Sequence, residues 1–138
     1  MSHRAFSKIY LHIIWHTKGN LPLITPDVQK VIYSTIRQRC DKSGVILFGF
    51  GGTEDHIHFA VKIPPSLQIT AWIGELKGAS SYNVNQACGR ESFTWQEGYG
   101  VVSFREKELD FILKYIENQV EHHASGKIIS SLENISEE

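Results

Sequence analysis

The fold turns on one stretch of the chain, VILFGFGGTEDHIHFAVK, residues 45–62. Its two halves, VILFGFGG (45–52) and HIHFAVK (56–62), are rich in β-branched and aromatic residues and flank a short turn at Thr53–Asp55, which predicts a β-hairpin. Pro64 and Pro65 stop the second strand. Strand side chains alternate, so His56 and His58 project from one face, and Ile57, Phe59 and Val61 from the other, into a core. Upstream, KIYLHIIWHTK (8–18) reads as a further strand, with Ile9, Leu11, Ile13 and Trp15 on one side and Tyr10, His12, Ile14 and His16 on the other. Between these strands, GNLPLITP is a connection. Asp27 then opens a helix to about residue 42, with Val28, Val31, Ile32 and Ile36 as its stripe and Gly44 at its end. Downstream, Ile69, Trp72, Ile73 and Leu76 stand at helical spacing and predict a helix over 67–86. FTWQEGYGVVSF (93–104) is extended, and Leu109, Ile112, Leu113, Ile116 and Val120 mark a last helix from Lys107 to about His123. The order β-α-β-β-α-β-α predicts an α+β fold, a ferredoxin-like split βαβ sandwich with an antiparallel sheet and helices packed on it. Many functions use that fold, so it does not decide among them.

At 138 residues the chain suits one domain, expected over residues 1–128. Hydrophobic residues at 41% and charged residues at 21% exclude wholesale disorder. The formal charge of −1 excludes a protein that coats nucleic acid by bulk charge. Residues 129–138 carry Glu133, Glu137 and Glu138 and no base, which leaves fourteen bases against twelve acids in the remainder. That segment reads as an acidic, flexible, solvated tail on a faintly basic body. Two cysteines, Cys40 and Cys88, with no CxxC, indicate neither a disulfide framework nor a cysteine-based zinc site, and fit reduced thiols in a cytoplasmic protein. The apolar run Ile9–Trp15 is short and interrupted by His12, so no signal peptide is expected. No run approaches the roughly 20 apolar residues of a membrane span.

Two constellations carry chemistry. His56 and His58, one residue apart on a strand face and preceded by Glu54 and Asp55, can share a divalent cation. They can equally cap a solvated sheet face, and two ligands are too few for a catalytic metal. The second constellation lies on the last helix. At about 100° per residue, Tyr115 and Gln119 fall about 80–120° to one side of the apolar stripe, and His122 continues their face. Taken alone, Tyr115 is an amphipathic residue at the edge of the core with its hydroxyl in water, and Gln119 a solvated residue. Beside the histidine pair, Gln119 can be a third ligand and Tyr115 a nucleophile. A phenol, with a pKa of about 10, attacks poorly at neutral pH unless a cation favours the phenolate. Its attack on a phosphodiester gives a phosphotyrosine that keeps the bond energy, so strands can be rejoined without ATP.

TEDHIHFAV (53–61), ELKGASS (75–81), the Trp95…Gly98-Tyr99 element and YIENQ (115–119) occur in the order and spacing of the HUH single-strand DNA transposases with one tyrosine, which include small insertion-sequence transposases and REP-associated tyrosine transposases. The resemblance runs from about residue 8 to 123. It implies a metal-dependent enzyme that cleaves and rejoins single-stranded DNA at hairpin-marked ends. It implies His56, His58 and Gln119 as ligands of Mg²⁺ or Mn²⁺ and Tyr115 as the nucleophile of a 5′-phosphotyrosine intermediate. It also implies a homodimer in which the histidine pair of one chain is completed by the tyrosine helix of the other. Lys77 matches a commonly basic position; Arg4, Lys8, Lys62, Arg90 and Arg105 are further candidates for phosphate contacts. Phe93, Trp95 and Tyr99 could stack on unpaired bases, although Trp95 is read first as core. Glu54 departs from the family, where that position is often proline.

Two other readings stay open. One is a non-catalytic or domesticated single-stranded nucleic-acid-binding relative on the same fold. The other is a histidine-dependent nucleotide phosphoesterase, for which Ala60 stands where a third alternating histidine is wanted.

Overall fold

A computed structural model describes residues 6–89, 92–119, 126 and 129–136. Strand β1 (Ile9–His16) is followed by α1 (Pro26–Ser43), β2 (Ile46–Gly52), β3 (His56–Ile63), α2 (Ile69–Cys88), β4 (Gly100–Phe104) and α3 (Leu109–Glu117); a one-turn helix, α4 (Ser130–Glu133), comes last. The strands form one sheet in the order β2-β3-β1-β4, with every neighbouring pair antiparallel. This is the expected split βαβ arrangement: β3 lies between β2 and β1 and runs against both.

Local chemistry sets the element ends. Thr25 caps α1 by accepting a hydrogen bond from Val28 N at 3.3 Å, with Pro26 in the first turn. Gly44 closes the helix in the left-handed region at φ 70°. The extended stretch 93–104 pairs in the sheet only from Gly100, and an isolated bridge joins Trp95 to Thr17. There Lys77 Nζ donates to the carbonyls of Gln96 at 2.7 Å and Gly98 at 3.0 Å. These bonds hold the loop in front of β4.

The parity of the strands divides the molecule. Leu11, Ile13, Trp15, Ile57, Phe59 and Val61 point to the side covered by α1 and α2 and join Ile32, Ile36, Trp72, Ile73 and Leu76 in the main core. Each such side chain contributes about 1.5–3 kcal/mol by leaving water. The other parity faces α3 and α4, where the apolar cluster is small: Ala60, Ile112, Tyr115, Ile116 and Leu132. Gly51 allows α3 to lie directly on β2, since a methyl group there would come within 2.5 Å of the Ile116 carbonyl oxygen. A side chain at Gly100 would collide with the carbonyl of Asn134, so the chain after residue 128 crosses β4 at its bare position.

That last contact corrects one expectation. The stretch 129–136, read as a solvated tail, packs on the sheet with Leu132 buried. Composition marked its polar residues and missed the single leucine that anchors it. Phe93 is also buried in the main core, and Trp95 and Tyr99, both partly buried, pack against it. Cys40 is buried and Cys88 exposed. Among the described residues no helix is long and apolar enough to cross a membrane.

Candidate active site

The site lies where the start of β3, the last turn of α3 and α4 meet. His56 and His58 leave β3 on the same face, and both are buried. Their registered partners on β1 are His16 and Ile14. The His16 ring stacks on His56 at 4.9 Å between centroids, and His12 lies beside His58 at 4.8 Å.

Each histidine of the pair is oriented from behind. His56 Nδ1 donates to Asp55 Oδ1 at 2.7 Å, because a carboxylate can only accept, and Thr53 Oγ1 also donates to that oxygen at 3.1 Å. Burial works to raise the Asp55 carboxyl, but its hydrogen bonds from His56 and Thr53 outweigh burial and hold it below its ordinary pKa. His58 Nδ1 meets His12 Nε2 at 2.7 Å. Burial, with the neighbouring His58, pushes His12 down to about 3, so it is neutral.

From the front come Tyr115, in the last turn of α3, and Gln119, two residues beyond its end at Glu117; α3 stops there with Asn118 out of helical geometry, short of the helix to about His123 that the spacing predicts. The Tyr115 ring stands 6.0 Å from that of His58, edge to face. Gln119 Nε2 donates to the Tyr115 carbonyl at 3.0 Å, which turns its Oε1 toward His56 Nε2 at 3.1 Å. With His56 Nδ1 already donating to Asp55, an amide oxygen then faces the remaining imidazole nitrogen. An imidazole nitrogen and an amide oxygen are both donor types that a divalent cation accepts. The residues present therefore fit a divalent ion: two imidazole nitrogens and an amide oxygen converge in a buried, preoriented set.

Sequence reasoning placed His56, His58, Tyr115 and Gln119 together, and the structure brings them together within one chain. The Tyr115 hydroxyl, read from sequence as facing solvent, is instead paired within the protein. Tyr115 Oη donates to Glu133 Oε2 and accepts from Ile129 N at 3.0 Å. Burial, then the Glu133 hydrogen bond, push the phenol up to about 12. Glu133 Oε1 lies 3.3 Å from His58 Nε2 and 3.9 Å from His56 Nε2. Glu133 was missed because nothing in a terminal run of serines and acids signals a docked segment. His12 and His16 were legible in principle, since their strand parity is that of the site.

The basic candidates scatter. Lys62 lies on the site's side of β3, with its Nζ 5.9 Å from the Tyr10 ring centroid. Lys8 pairs with Glu106 at 2.8 Å, and Arg105 Nε stands 3.7 Å from Glu108 on the surface. Lys77 belongs to α2, on the far side of the sheet, where its ammonium donates to loop carbonyls. Arg4, Arg90 and His122 lie outside the described residues.

Comparison with known proteins agrees with this geometry. The chain is 27% identical over 125 residues to the transposase for insertion sequence element IS200 of Salmonella typhimurium (strain LT2), covering 86% of this chain and 82% of that protein. The corresponding transposase of Salmonella typhi matches to the same extent. Among solved structures, a protein of Deinococcus radiodurans R1 assigned as a transposase superposes with a TM-score of 0.67 at 25% identity, over 83% of this chain and 93% of its own. A REP-associated tyrosine transposase bound to a REP hairpin has the same fold, with a TM-score of 0.62 at 16% identity over 91% and 74% of the two chains. The family model described as "Transposase IS200 like" matches residues 5–119, which run from ahead of β1 to Gln119. On that match, the chain belongs to the IS200-like transposase family.

Proposed function

We propose that this protein cleaves and rejoins single-stranded DNA at hairpin-marked ends, with Tyr115 as nucleophile. Tyr115 Oη bonds to the phosphorus of a phosphodiester, the bond from phosphorus to the adjoining 3′ oxygen breaks, and the phenol proton ends on that oxygen. The products are a 5′-phosphotyrosine and a free 3′-hydroxyl, and the reverse step with a different 3′-hydroxyl joins strands. His56, His58 and Gln119 would hold Mg²⁺ or Mn²⁺, which when bound favours the phenolate and polarises a phosphate oxygen. Asp55 and His12 keep the two imidazoles turned to the front of the site, and Gln119 ties the amide ligand to the backbone of the nucleophile itself. Two copies acting together suit the task, because moving an element requires cuts at two ends and each chain brings one tyrosine placed at the site.

The observation that carries this reading is the convergence of Tyr115 and Gln119 on the His56–His58 pair in a chain of this family. The hairpin substrate is inferred from the REP hairpin held by the structural relative. The test is a labelled oligonucleotide containing a hairpin, incubated with the protein and Mg²⁺ or Mn²⁺. A denaturation-resistant protein–DNA adduct is expected from the native chain and none from Tyr115→Phe. An adduct formed by Tyr115→Phe refutes the nucleophile. Single-strand binding that ignores the metal and yields no adduct favours a non-catalytic relative.

A further inference from the structure

The short helix α4 carries a carboxylate into the site, and the geometry around it assigns a role. We propose that Glu133 is a fourth ligand of the divalent cation held by His56, His58 and Gln119, delivered by the C-terminal segment; this rests on the metal site of the preceding section.

Three observations converge. The first is spacing. Glu133 Oε1 is 3.3 Å from His58 Nε2 and 3.9 Å from His56 Nε2, and Gln119 Oε1 is 3.1 Å from His56 Nε2. An octahedral ion with bonds of about 2.1 Å sets neighbouring donors about 3.0 Å apart and opposite donors about 4.2 Å apart. The observed separations fall within that span. The second is placement. The Glu133 side chain is 11% exposed, and its backbone is fixed by buried Leu132 and by the passage of Asn134 over Gly100. Ile129 N adds a bond to the Tyr115 hydroxyl. The carboxylate is therefore held in position by packing rather than reaching in from solvent. The third is charge and hardness. Two imidazoles and an amide are neutral, and a buried dication gains most from an anionic oxygen donor, the ligand type that Mg²⁺ and Mn²⁺ favour. The second oxygen of the same carboxylate accepts from Tyr115, so one side chain links the nucleophile to the ion.

The test is calorimetric titration of the full chain with Mn²⁺, Mg²⁺ and Ni²⁺, comparing the native protein with Glu133→Gln, Glu133→Asp and His58→Ala, each checked for native melting. Glu133→Gln is expected to weaken Mn²⁺ and Mg²⁺ binding about tenfold or more, and Ni²⁺, which imidazole suits, by less. Glu133→Asp, which keeps the charge on a shorter stem, also weakens binding and remains informative should the glutamine variant fail to fold. Mn²⁺ is further expected to slow amide exchange over residues 129–136 in the native protein. A Glu133→Gln protein that binds Mn²⁺ as tightly as the native chain overturns the proposal. If that variant also forms the DNA adduct faster, the carboxylate is a blocking group instead. His58→Ala binding Mn²⁺ at native affinity overturns the underlying metal site, whatever Glu133 does.

Discussion

The two faces of the sheet are built from the same strands and follow opposite rules. Along β3, Ile57, Phe59 and Val61 enter a large apolar core under α1 and α2, while His56, His58, Ala60 and Lys62 face α3 and α4. Trp15 and Phe59 meet edge to face at 5.3 Å on the first side; His12 and His58 meet at 4.8 Å on the second. The first face gains stability from apolar area. The second buries imidazoles, an amide and a carboxylate, groups that cost free energy to desolvate and stay only because they satisfy one another. Stability resides on one parity and chemistry on the other, so neighbouring residues should fail in different ways.

The largest expected effect tests that division within two adjacent residues. Phe59→Ala should cost about 3–5 kcal/mol in urea unfolding, the range for a truncated core phenylalanine. His58→Ala should cost clearly less and should abolish cation binding. Equal stability losses would mean that the two faces share the folding load. The next effect is the acid response of the polar face. His12 is neutral in the fold, with its pKa lowered from 6.5 to about 3 by burial and by His58. The unfolded chain takes up that proton below pH 6.5 and the folded chain does not until about pH 3. Stability is therefore fully present above pH 6.5 and falls on acidification, by about 2 kcal/mol between pH 6.5 and 5 from this group alone. His16, lowered in the same direction, adds to it. Urea melts at the two pH values measure the loss, and His12→Leu should flatten the slope. A native protein equally stable at both pH values would place a charged imidazole in the sheet and break the contrast.

How much of each face was legible follows the same division. The apolar face repeats a simple rule: alternation in KIYLHIIWHTK and HIHFAVK, and helical spacing of Ile69, Trp72, Ile73 and Leu76, fixed both sheet and cover. The polar face was half legible. The alternation that put His56 and His58 together and the phase that paired Tyr115 with Gln119 are local and periodic. Glu133 obeys no period, since its arrival depends on Leu132 finding a gap beside α3 and on Gly100 leaving a groove over β4. The turn Thr53–Asp55 lies between. Asp55 was noted for its charge, but its hydrogen bond to His56 Nδ1 depends on a turn geometry that sequence does not specify.

Asp55→Asn sharpens the comparison inside the polar face. The amide can still accept from His56 Nδ1 but loses the charge that stiffens the orientation of the imidazole. Affinity for Mn²⁺ should fall on the order of tenfold, the low end for a partner behind a metal-bound histidine, with the melting curve little changed. A calorimetric titration beside a melt reads both quantities. An unchanged affinity would leave Asp55 as a turn residue only.

The smallest effect belongs to the opposite face and isolates stability from chemistry. Thr25 accepts from Val28 N at the start of α1, whose buried side chains join the core on the apolar side of the sheet. Thr25→Ala removes that acceptor and leaves a first-turn amide to water, a loss of about 1 kcal/mol. Urea unfolding should register it while the Mn²⁺ affinity of the folded protein stays at the native value, because the His56–His58 spacing is set by β3 and its neighbours and not by the helix cap. A cap mutation that moved cation affinity would show that the apolar face transmits strain through the sheet, and the two parities would then be one mechanical unit.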